Sequence, residues 1–245
     1  MIYKYFQKNN YEDFSSGRFF YHKPKYPNYP VRLAGEIFCR CLEYIDKKNE
    51  IVIYDPCCGS GYMLTVLGYL FNEKIKTIYA SDILNEAIEL ARKNLSLLSY
   101  AGIEERKNEL LDLFGKFAKK SHKDALQSLN NLRKHLKHEI AVNCYTQDIL
   151  STNRSKNIKF TADVVMTDVP YGDLTAWSNY HDKQIDILLD VIKPLVTTRS
   201  IVSITRNKNQ KYNNSSFQRM DSFKIGHRVV DLIKLKEHAK DLVII

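Results

Sequence analysis

The sequence has no CxxC pair among its five cysteines, although zinc sites and disulfide-stabilised small domains usually carry regularly spaced cysteines. Two cysteines are adjacent, Cys57 and Cys58, and two are separated by one residue, Cys39 and Cys41. These spacings disfavour a metal site and a disulfide framework, and free thiols are typical of a reducing cytoplasm. The first ten residues lack an apolar run, and no later segment approaches membrane-spanning length. We therefore expect a soluble, cytoplasmic protein that contains no metal and is not in a membrane.

Acidic residues are also in deficit, since 28 Asp and Glu are present beside 37 Lys and Arg, for a net charge of +9. This imbalance favours an anionic partner such as a nucleic acid, although a merely basic protein is the alternative. The chain of 245 residues has no internal repeat and no low-complexity linker. We predict one domain over 1–245, with an N-terminal arm at 1–30 and a helical insertion at 102–139.

Glycine is scarce, with nine in the chain, but two glycines lie close together after the apolar run at 51–54. The segment IVIYDPCCGSGYML is typical of a strand, a tight turn and a helix start, where backbone N–H groups can contact a ligand. Asp55 before the turn would repel a phosphate and attract an ammonium group. Leu64 replaces the third glycine of a dinucleotide fingerprint and no GK[ST] follows, which disfavours a dehydrogenase and a P-loop. The turn therefore predicts a site for S-adenosylmethionine, whose amino-acid tail is zwitterionic.

Two further strand ends belong to the same predicted site. A strand at 76–81 ends at Asp82, about twenty residues after the turn, where an acidic side chain can receive ribose hydroxyls. A strand at 140–145 leads to Asp148 and Ile149, whose carboxylate and amide suit the edge of an adenine ring. The carboxyl ends of parallel strands share one crevice. The predicted cofactor-binding residues are Asp55, Cys57, Cys58, Gly59, Ser60, Gly61, Asp82, Ile83, Asp148, Ile149 and Asp168.

A fourth strand, 162–167, ends in the segment DVPYG. Asp168 and the Val169 carbonyl can accept the N–H groups of a planar base, Tyr171 can stack on its ring, and Pro170 can fix the turn. We predict Asp168, Pro170 and Tyr171 as catalytic residues. An ordinary Asp-x-Pro turn is the alternative for the motif alone. The motif has no cysteine, which disfavours covalent chemistry at C5 of cytosine.

Two basic segments are candidates for RNA contact. Residues 1–30 interleave aromatic rings, cations and three prolines, a composition that suits an extended arm. The rings of this arm could stack on bases of a nucleic acid, or they could pack across the domain. Residues 102–139 have apolar residues at helical spacing and predict two lysine-rich helices, for which a solvated hairpin is the alternative. The predicted RNA-binding residues are Arg18, Lys23, Lys25, Arg32, Lys119, Lys120 and Lys134.

The order of the remaining patterns predicts the fold. A helix follows Pro30, and strands then alternate with helices, which implies parallel strands joined by right-handed crossovers. A helix at 185–196 leads to a strand at 200–205, and a last strand at 229–235 follows without a clear crossover helix. We therefore predict an α/β fold with a mostly parallel, Rossmann-like sheet and an antiparallel element at its edge.

Four segments of this chain resemble the avilamycin-resistance rRNA methyltransferase family of the AviRa type: PVRLAGEIF, DPCCGSGYMLTVLG, ASDI and TDVPYGDLTAW. The resemblance spans most of residues 14–177. It implies a class I methyltransferase that uses S-adenosylmethionine to methylate a guanine of 23S rRNA, at N1, and confers resistance to orthosomycin antibiotics. Its partner would be 23S rRNA or the large ribosomal subunit, and we expect a monomer. Val169 stands where amino-methylating enzymes carry a proline, which weakens the analogy to an exocyclic amine.

Two other functions stay open on the residues alone. An amino-group methyltransferase acting on adenine in nucleic acid, or on a protein glutamine, would also use a planar, amide-like nitrogen. A non-catalytic RNA-binding module could retain the fold. The intact set of Asp55, Gly59, Gly61, Asp82 and Asp168 argues against this last alternative, because a module that only binds RNA would not need it.

Overall fold

The computed structural model describes residues 3–15, 18–151, 159–170 and 183–237. The helices are α1 (Val31–Glu43), α2 (Tyr62–Leu70), α3 (Asn85–Ser96), α4 (Tyr100–Phe117), α5 (Lys120–Arg133) and α6 (Gln184–Ile192). The strands are β1 (Ile51–Asp55), β2 (Ile75–Asp82), β3 (Ala141–Thr146), β4 (Val164–Asp168), β5 (Ile201–Asn207), β6 (Phe217–Ile225) and β7 (Arg228–Leu235).

In the described residues, seven strands form one sheet in the order β3-β2-β1-β4-β5-β7-β6. Strands β1 to β5 pair with one another in parallel, whereas β7 is antiparallel to β5 and β6 is antiparallel to β7. The chain moves outward from β1 to β3 and then returns to place β4 on the other side of β1. This reversal opens a crevice at the carboxyl ends of β1 and β4, where open α/β sheets bind ligands. The prediction of a mostly parallel sheet with an antiparallel edge is confirmed.

The sequence patterns missed one strand at that edge. The run at 229–235 was expected as an edge element, but β7 lies inside the sheet and β6 forms the edge. The pairing of β6 with β7 shifts register between Arg219 and Asp221. This bulge interrupts the alternation of apolar and polar residues, which is the signal that identifies a strand in a sequence.

Two layers of apolar side chains cover the sheet. Within β4, Val164 and Met166 pack in the core cluster that contains residues of α1 to α5, while Val165 packs with residues of α6 on the opposite face. This division follows from the pleat, because successive side chains of a strand point to opposite faces.

The N-terminal arm packs across the domain through its rings. Phe19 and Phe20 are 0% exposed, and the Phe20 ring meets the Tyr62 ring edge to face at 5.3 Å between centroids. The Tyr62 hydroxyl donates a hydrogen bond to the Phe14 carbonyl at 2.6 Å. Of the two alternatives for the arm, packing therefore describes these aromatic residues.

The predicted pair of inserted helices is present as α4 and α5, and α4 begins two residues before the predicted insertion, at Tyr100. The Ser99 hydroxyl accepts the Gly102 N–H at 3.1 Å and caps α4. Leu129 and Leu132 of α5 are buried, whereas Phe117 at the end of α4 is 58% exposed. Among the described residues, no helix is both long enough and apolar enough to span a membrane.

Candidate active site

The turn after β1 is held by hydrogen bonds to the neighbouring strand end. The Gly59 N–H donates to Asp82 Oδ2 at 2.9 Å, and the Cys58 N–H donates to the Ser81 carbonyl at 2.9 Å. Asp82 Oδ1 accepts the Leu84 N–H at 3.0 Å. Each carboxylate oxygen has a further lone pair, so Asp82 can still accept hydroxyl groups of a ribose. Asp82 thus fixes the turn and also presents acceptors to the crevice.

Both glycines of the turn have left-handed backbone conformations, with φ of +52° at Gly59 and +69° at Gly61, but their surroundings differ. A Cβ on Gly61 would lie 3.1 Å from the Cα and Cβ of Ala91 in α3. A Cβ on Gly59 would meet no heavy atom of the described residues within 4 Å. Gly61 is therefore required for packing of the turn on α3, whereas Gly59 leaves open space beside the backbone.

Asp55 lies at the floor of the crevice and is 2% exposed. Burial is the main cause that raises the pKa of its carboxyl group to about 7. Hydrogen bonds from the Cys57 N–H at 3.0 Å and from the Thr167 side chain oppose this effect, and the carboxylates of Asp82 and Asp168 add to it. Three acidic strand ends therefore converge, as the sequence predicted. Neighbouring carboxylates favour binding of a cation, because a cation relieves their repulsion.

The thiols of this turn are neutral groups. Burial raises the pKa of Cys57 well above its ordinary value, and Asp55 adds to this effect. The pKa of Cys58 is also well above its ordinary value, because its thiol is hydrogen-bonded to that of Cys144 and is buried. All five cysteines are free, in agreement with the sequence prediction.

The third wall of the crevice follows β3. The Gln147 N–H donates to the Asp82 carbonyl at 2.9 Å, and Asp148 Oδ1 accepts the Leu150 N–H at 2.9 Å. Ile149 is buried, whereas Ile83, next to Asp82, is 57% exposed. An apolar side chain that remains exposed beside these polar groups can contact the face of a flat, partly apolar ligand.

The strand end of β4 is fixed from both sides. Asp168 lies opposite Thr205 of β5, and the Val169 N–H donates to the Thr205 carbonyl at 2.9 Å. The Pro170 carbonyl accepts a hydrogen bond from the Gln210 side-chain amide at 2.9 Å. Tyr171, the third predicted catalytic residue, lies outside the described residues.

Comparison with known proteins gives the same fold together with an activity. The family described as rRNA methyltransferase AviRa matches residues 1–228. A curated protein of Streptomyces viridochromogenes, named 23S rRNA (guanine(2535)-N(1))-methyltransferase, is 34% identical over 228 residues, which are 91% of each chain. A solved structure of rRNA methyltransferase AviRa from the same organism has a TM-score of 0.87 at 30% identity and covers 96% of both chains, and a second structure has a TM-score of 0.84 at 31% identity.

The chain belongs to the AviRa rRNA methyltransferase family. The family resemblance read from four sequence segments is therefore confirmed, and so is the prediction of an rRNA methyltransferase with a Rossmann-like sheet.

Sequence reasoning missed three residues that shape this AviRa-type site. Gln210 fixes the Pro170 carbonyl, as described above. The Tyr29 hydroxyl, from the N-terminal arm, forms a buried hydrogen bond with the Thr205 hydroxyl at 2.8 Å. Asn94 of α3 donates to the Ser60 carbonyl at 2.9 Å and bonds both backbone groups of Tyr21. No local motif identifies these residues, because their partners lie between 34 and 176 positions away in the chain.

The predicted RNA-binding cations of the arm have partners within this AviRa family member. Arg18 pairs with Glu12, while Lys23 and Lys25 both pair with Glu86 at 3.1 and 3.4 Å. The Arg32 side chain donates to the Phe6 carbonyl at 2.7 Å. Lys23 and Lys25 thereby lie at the start of α3, directly after Asp82 at the rim of the crevice. Their exposed ion pairs are weak, so a phosphate can compete for these cations.

The predicted RNA-binding cations of the insertion are exposed. Lys119 and Lys120 lie at the turn between α4 and α5, and Lys134 follows α5. The Lys119 ammonium lies 5.6 Å from the centroid of the exposed Phe117 ring. An exposed aromatic ring beside cations is a combination that suits nucleic acid.

Proposed function

We propose that this protein transfers the methyl group of S-adenosylmethionine to N1 of a guanine in 23S rRNA. The observation that carries this proposal is the convergence of Asp55, Asp82 and Asp168 beside the open face of Gly59 in an rRNA methyltransferase fold. The relative from Streptomyces viridochromogenes is named for this reaction at guanine 2535, which supports the choice of base and atom.

The residues at the crevice fit S-adenosylmethionine, which would supply an electrophilic methyl group on a sulfonium. Asp55 would bind the ammonium of its amino-acid tail, and Asp82 would accept the ribose hydroxyls. Asp148, Ile149 and the exposed Ile83 would contact the adenine ring. The open space beside Gly59 would allow the cofactor to approach the backbone of the turn, together with Cys57, Cys58, Ser60 and Gly61. The same acidic site would repel a nucleotide phosphate.

Guanine N1 carries a proton that must leave before or as the nitrogen attacks the methyl group. Asp168 is the group of this chain that would accept it, either directly or as a hydrogen-bond acceptor that aligns N1. The hydrogen bonds at Val169 and Pro170 would hold the turn, and Tyr171 would stack on the base. The Val169 N–H and the Pro170 carbonyl are bonded within the protein, so these two groups serve the turn.

Cofactor affinity should depend on pH because Asp55 has a pKa of about 7. Lowering the pH protonates Asp55 and removes the charge that attracts the ammonium, so binding should weaken by about fivefold from pH 7 to pH 6. The ammonium of the ligand itself stays protonated over this range. Isothermal titration at the two pH values measures the effect. Asp55→Asn should bind weakly with most of this dependence lost, and an unchanged pH profile in this variant would assign the titration to another group.

We expect three exposed lysines of the insertion to contribute to RNA affinity: Lys119, Lys120 and Lys134. Because α4 reverses direction after α3, we infer that the turn between α4 and α5, with Lys119 and Lys120, lies toward the crevice side of the sheet. Lys134 follows the other end of α5, near the start of β2, where the Lys137 N–H donates to Asn72 Oδ1 at 2.7 Å. Replacing the three lysines with Glu should weaken binding of 23S rRNA by at least tenfold at low salt and reduce the slope of log affinity against log salt. Filter binding across a salt series measures both quantities.

The matched control for these lysines carries the same charge reversals at three other lysines: the exposed Lys47 and Lys76 and the half-buried Lys74. Lys74 and Lys76 flank the first residue of β2, at the opposite edge of the sheet from the crevice. If both triple variants lose affinity equally, the insertion contributes only net charge and makes no local contact.

The experiment that tests the proposed function is methyl transfer from tritiated S-adenosylmethionine to 23S rRNA and to assembled large subunits, followed by mass mapping of the product. Label at N1 of one guanine supports the proposal. Label on an exocyclic amine, on adenine or on a ribosomal protein would instead indicate an amino-group methyltransferase. Absence of label would indicate a non-catalytic RNA-binding module. Comparing the avilamycin susceptibility of cells with and without the gene then tests the resistance that the family resemblance implies.

A further inference from the structure

A second concave site lies beyond β5, on the same edge of the sheet as the crevice. Its volume is about 440 Å³, and pockets for small organic groups have volumes of roughly 300–1,000 Å³. It is formed by the arm, the start of α1 and the turn between β6 and β7. The lining residues used below are Tyr3, Pro30, Leu33, Ile225, His227 and Arg228, and we call this site the flanking pocket.

The strand register places the flanking pocket close to the methyl-transfer site. Asp168 of β4 pairs with Thr205 of β5, and Asn207 of β5 pairs with Arg228 of β7. Neighbouring strands are about 4.8 Å apart, so β7 lies about 10 Å from β4 at this edge. Tyr29 lies between the two sites, because its hydroxyl contacts Thr205 at 2.8 Å and the Arg228 guanidinium lies 5.9 Å from its ring centroid.

The lining combines an apolar floor with a prearranged aromatic platform. Pro30, Leu33 and Ile225 provide apolar surface. The Arg32 guanidinium stacks on the Tyr3 ring at 3.6 Å from its centroid and is held there by a hydrogen bond to the Phe6 carbonyl at 2.7 Å. A flat, partly apolar ring is the ligand that such a surface accommodates, since base stacking on aromatic side chains is tolerant of base identity.

The charges around the flanking pocket suit a nucleotide. His227 and Arg228 line it, and the backbone N–H of the exposed Lys208 donates to the His227 carbonyl at 3.3 Å, so Lys208 lies beside this turn. None of the lining residues within the described part of the chain is acidic. A phosphate attached to a base in the pocket would therefore be met by positive charge.

We propose that the flanking pocket receives a nucleobase of the substrate RNA that neighbours the methylated guanine. This proposal rests on the proposed function, because it assumes a guanine of rRNA at Asp168. Methylation of N1 requires the target guanine to be unpaired and withdrawn from its stack. Binding a neighbouring base in the flanking pocket would stabilise that opened RNA conformation and position the strand between the pocket and the methyl-transfer site.

The test compares Tyr3→Ala, which removes the platform, with Tyr5→Ala, a nearby exposed tyrosine that does not line the pocket. We expect the KM for 23S rRNA to rise about tenfold in Tyr3→Ala with kcat changed by less than about twofold, since the contact is equally strong before and during methyl transfer. Tyr5→Ala should match the wild type. Tyr3→Trp retains a stacking ring and should restore most of the affinity, and thermal unfolding of each variant shows that it is folded.

A charge reversal provides the second comparison. Lys208→Glu should raise the KM and flatten its salt dependence, whereas Lys76→Glu, at the opposite edge of the sheet, should do neither. An unchanged KM in both Tyr3→Ala and Lys208→Glu would overturn the proposal. A KM that rises only with assembled subunits, and not with naked 23S rRNA, would also overturn it, because the pocket would then bind a ribosomal protein.

Direct binding separates failure of this inference from failure of the proposed function. If the wild-type protein transferred no methyl group to rRNA, the proposed function would fail, but the affinity for 23S rRNA could still be measured by filter binding. Tyr3→Ala should weaken that affinity about tenfold relative to Tyr5→Ala. Equal affinities of the two variants would exclude a base in the flanking pocket whatever the catalytic result.

Discussion

Asp168→Ala should reduce kcat by at least about a hundredfold, because the variant has no group at the end of β4 to accept the proton of guanine N1. Its affinity for S-adenosylmethionine should remain measurable. The two quantities are obtained from tritium transfer to 23S rRNA and from isothermal titration. Near-normal turnover would refute a role for Asp168 in the reaction.

The Asp168→Asn variant separates proton acceptance from alignment. An asparagine can still accept a hydrogen bond through its carbonyl oxygen, but it cannot take a proton. Turnover as low as that of Asp168→Ala would favour a proton acceptor, as expected for N1. Substantial turnover would favour an exocyclic amine, for which alignment by a hydrogen bond is sufficient.

Asp168→Ala should also change the pH dependence of cofactor binding. The Asp168 carboxylate helps to raise the pKa of Asp55, so its removal should lower that pKa. The loss of cofactor affinity from pH 7 to pH 6 should therefore be smaller in the variant than in the wild type. Asp112→Ala, on the exposed face of α4, is the control that removes a carboxylate far from Asp55 in the fold. If cofactor affinity had the same pH dependence in the wild type, Asp168→Ala and Asp112→Ala, the charge of Asp168 would not affect the pKa of Asp55.

The sequence was sufficient to predict the elements that carry the crevice. An apolar run, a glycine turn and a helical pattern are local signals, and parallel connections place the strand ends at Asp55, Asp82 and Asp168 at one edge. The edge of the sheet was predicted less well. The register shift near Arg219 concealed β6, and the position of β7 between β5 and β6 depends on pairing that a local pattern does not encode.

The contacts that fix the crevice were not predictable for a different reason. Tyr29, Asn94 and Gln210 are ordinary polar residues in sequence, and each acts through a partner that is distant along the chain. Their importance follows only from the packed fold, where a buried polar group needs a partner. The burial of Phe19 and Phe20 has the same origin, since an aromatic segment without a period indicates neither packing nor RNA binding.

Gly59→Ala should reduce the affinity for S-adenosylmethionine by at least tenfold while lowering the free energy of unfolding by only about 1 kcal/mol, the cost of a left-handed backbone with a side chain. The reason is the position of the new methyl group. It would meet no heavy atom of the described residues within 4 Å, so it would occupy space that the cofactor needs beside the turn. Isothermal titration and chemical unfolding measure the two effects on the same sample.

Two other glycines distinguish steric exclusion of the cofactor from backbone strain. Gly226 has a similar φ of +57° and equally open surroundings among the described residues, but it lies in the turn between β6 and β7. Gly226→Ala should therefore have the same small effect on stability and normal cofactor affinity. Gly61→Ala should lose about 3 kcal/mol of stability, because its methyl group would press on Ala91. If Gly59→Ala bound the cofactor as well as Gly226→Ala does, the open face of Gly59 would not be the surface that contacts the cofactor. S-adenosylmethionine would then have to approach the crevice from the side of Asp148.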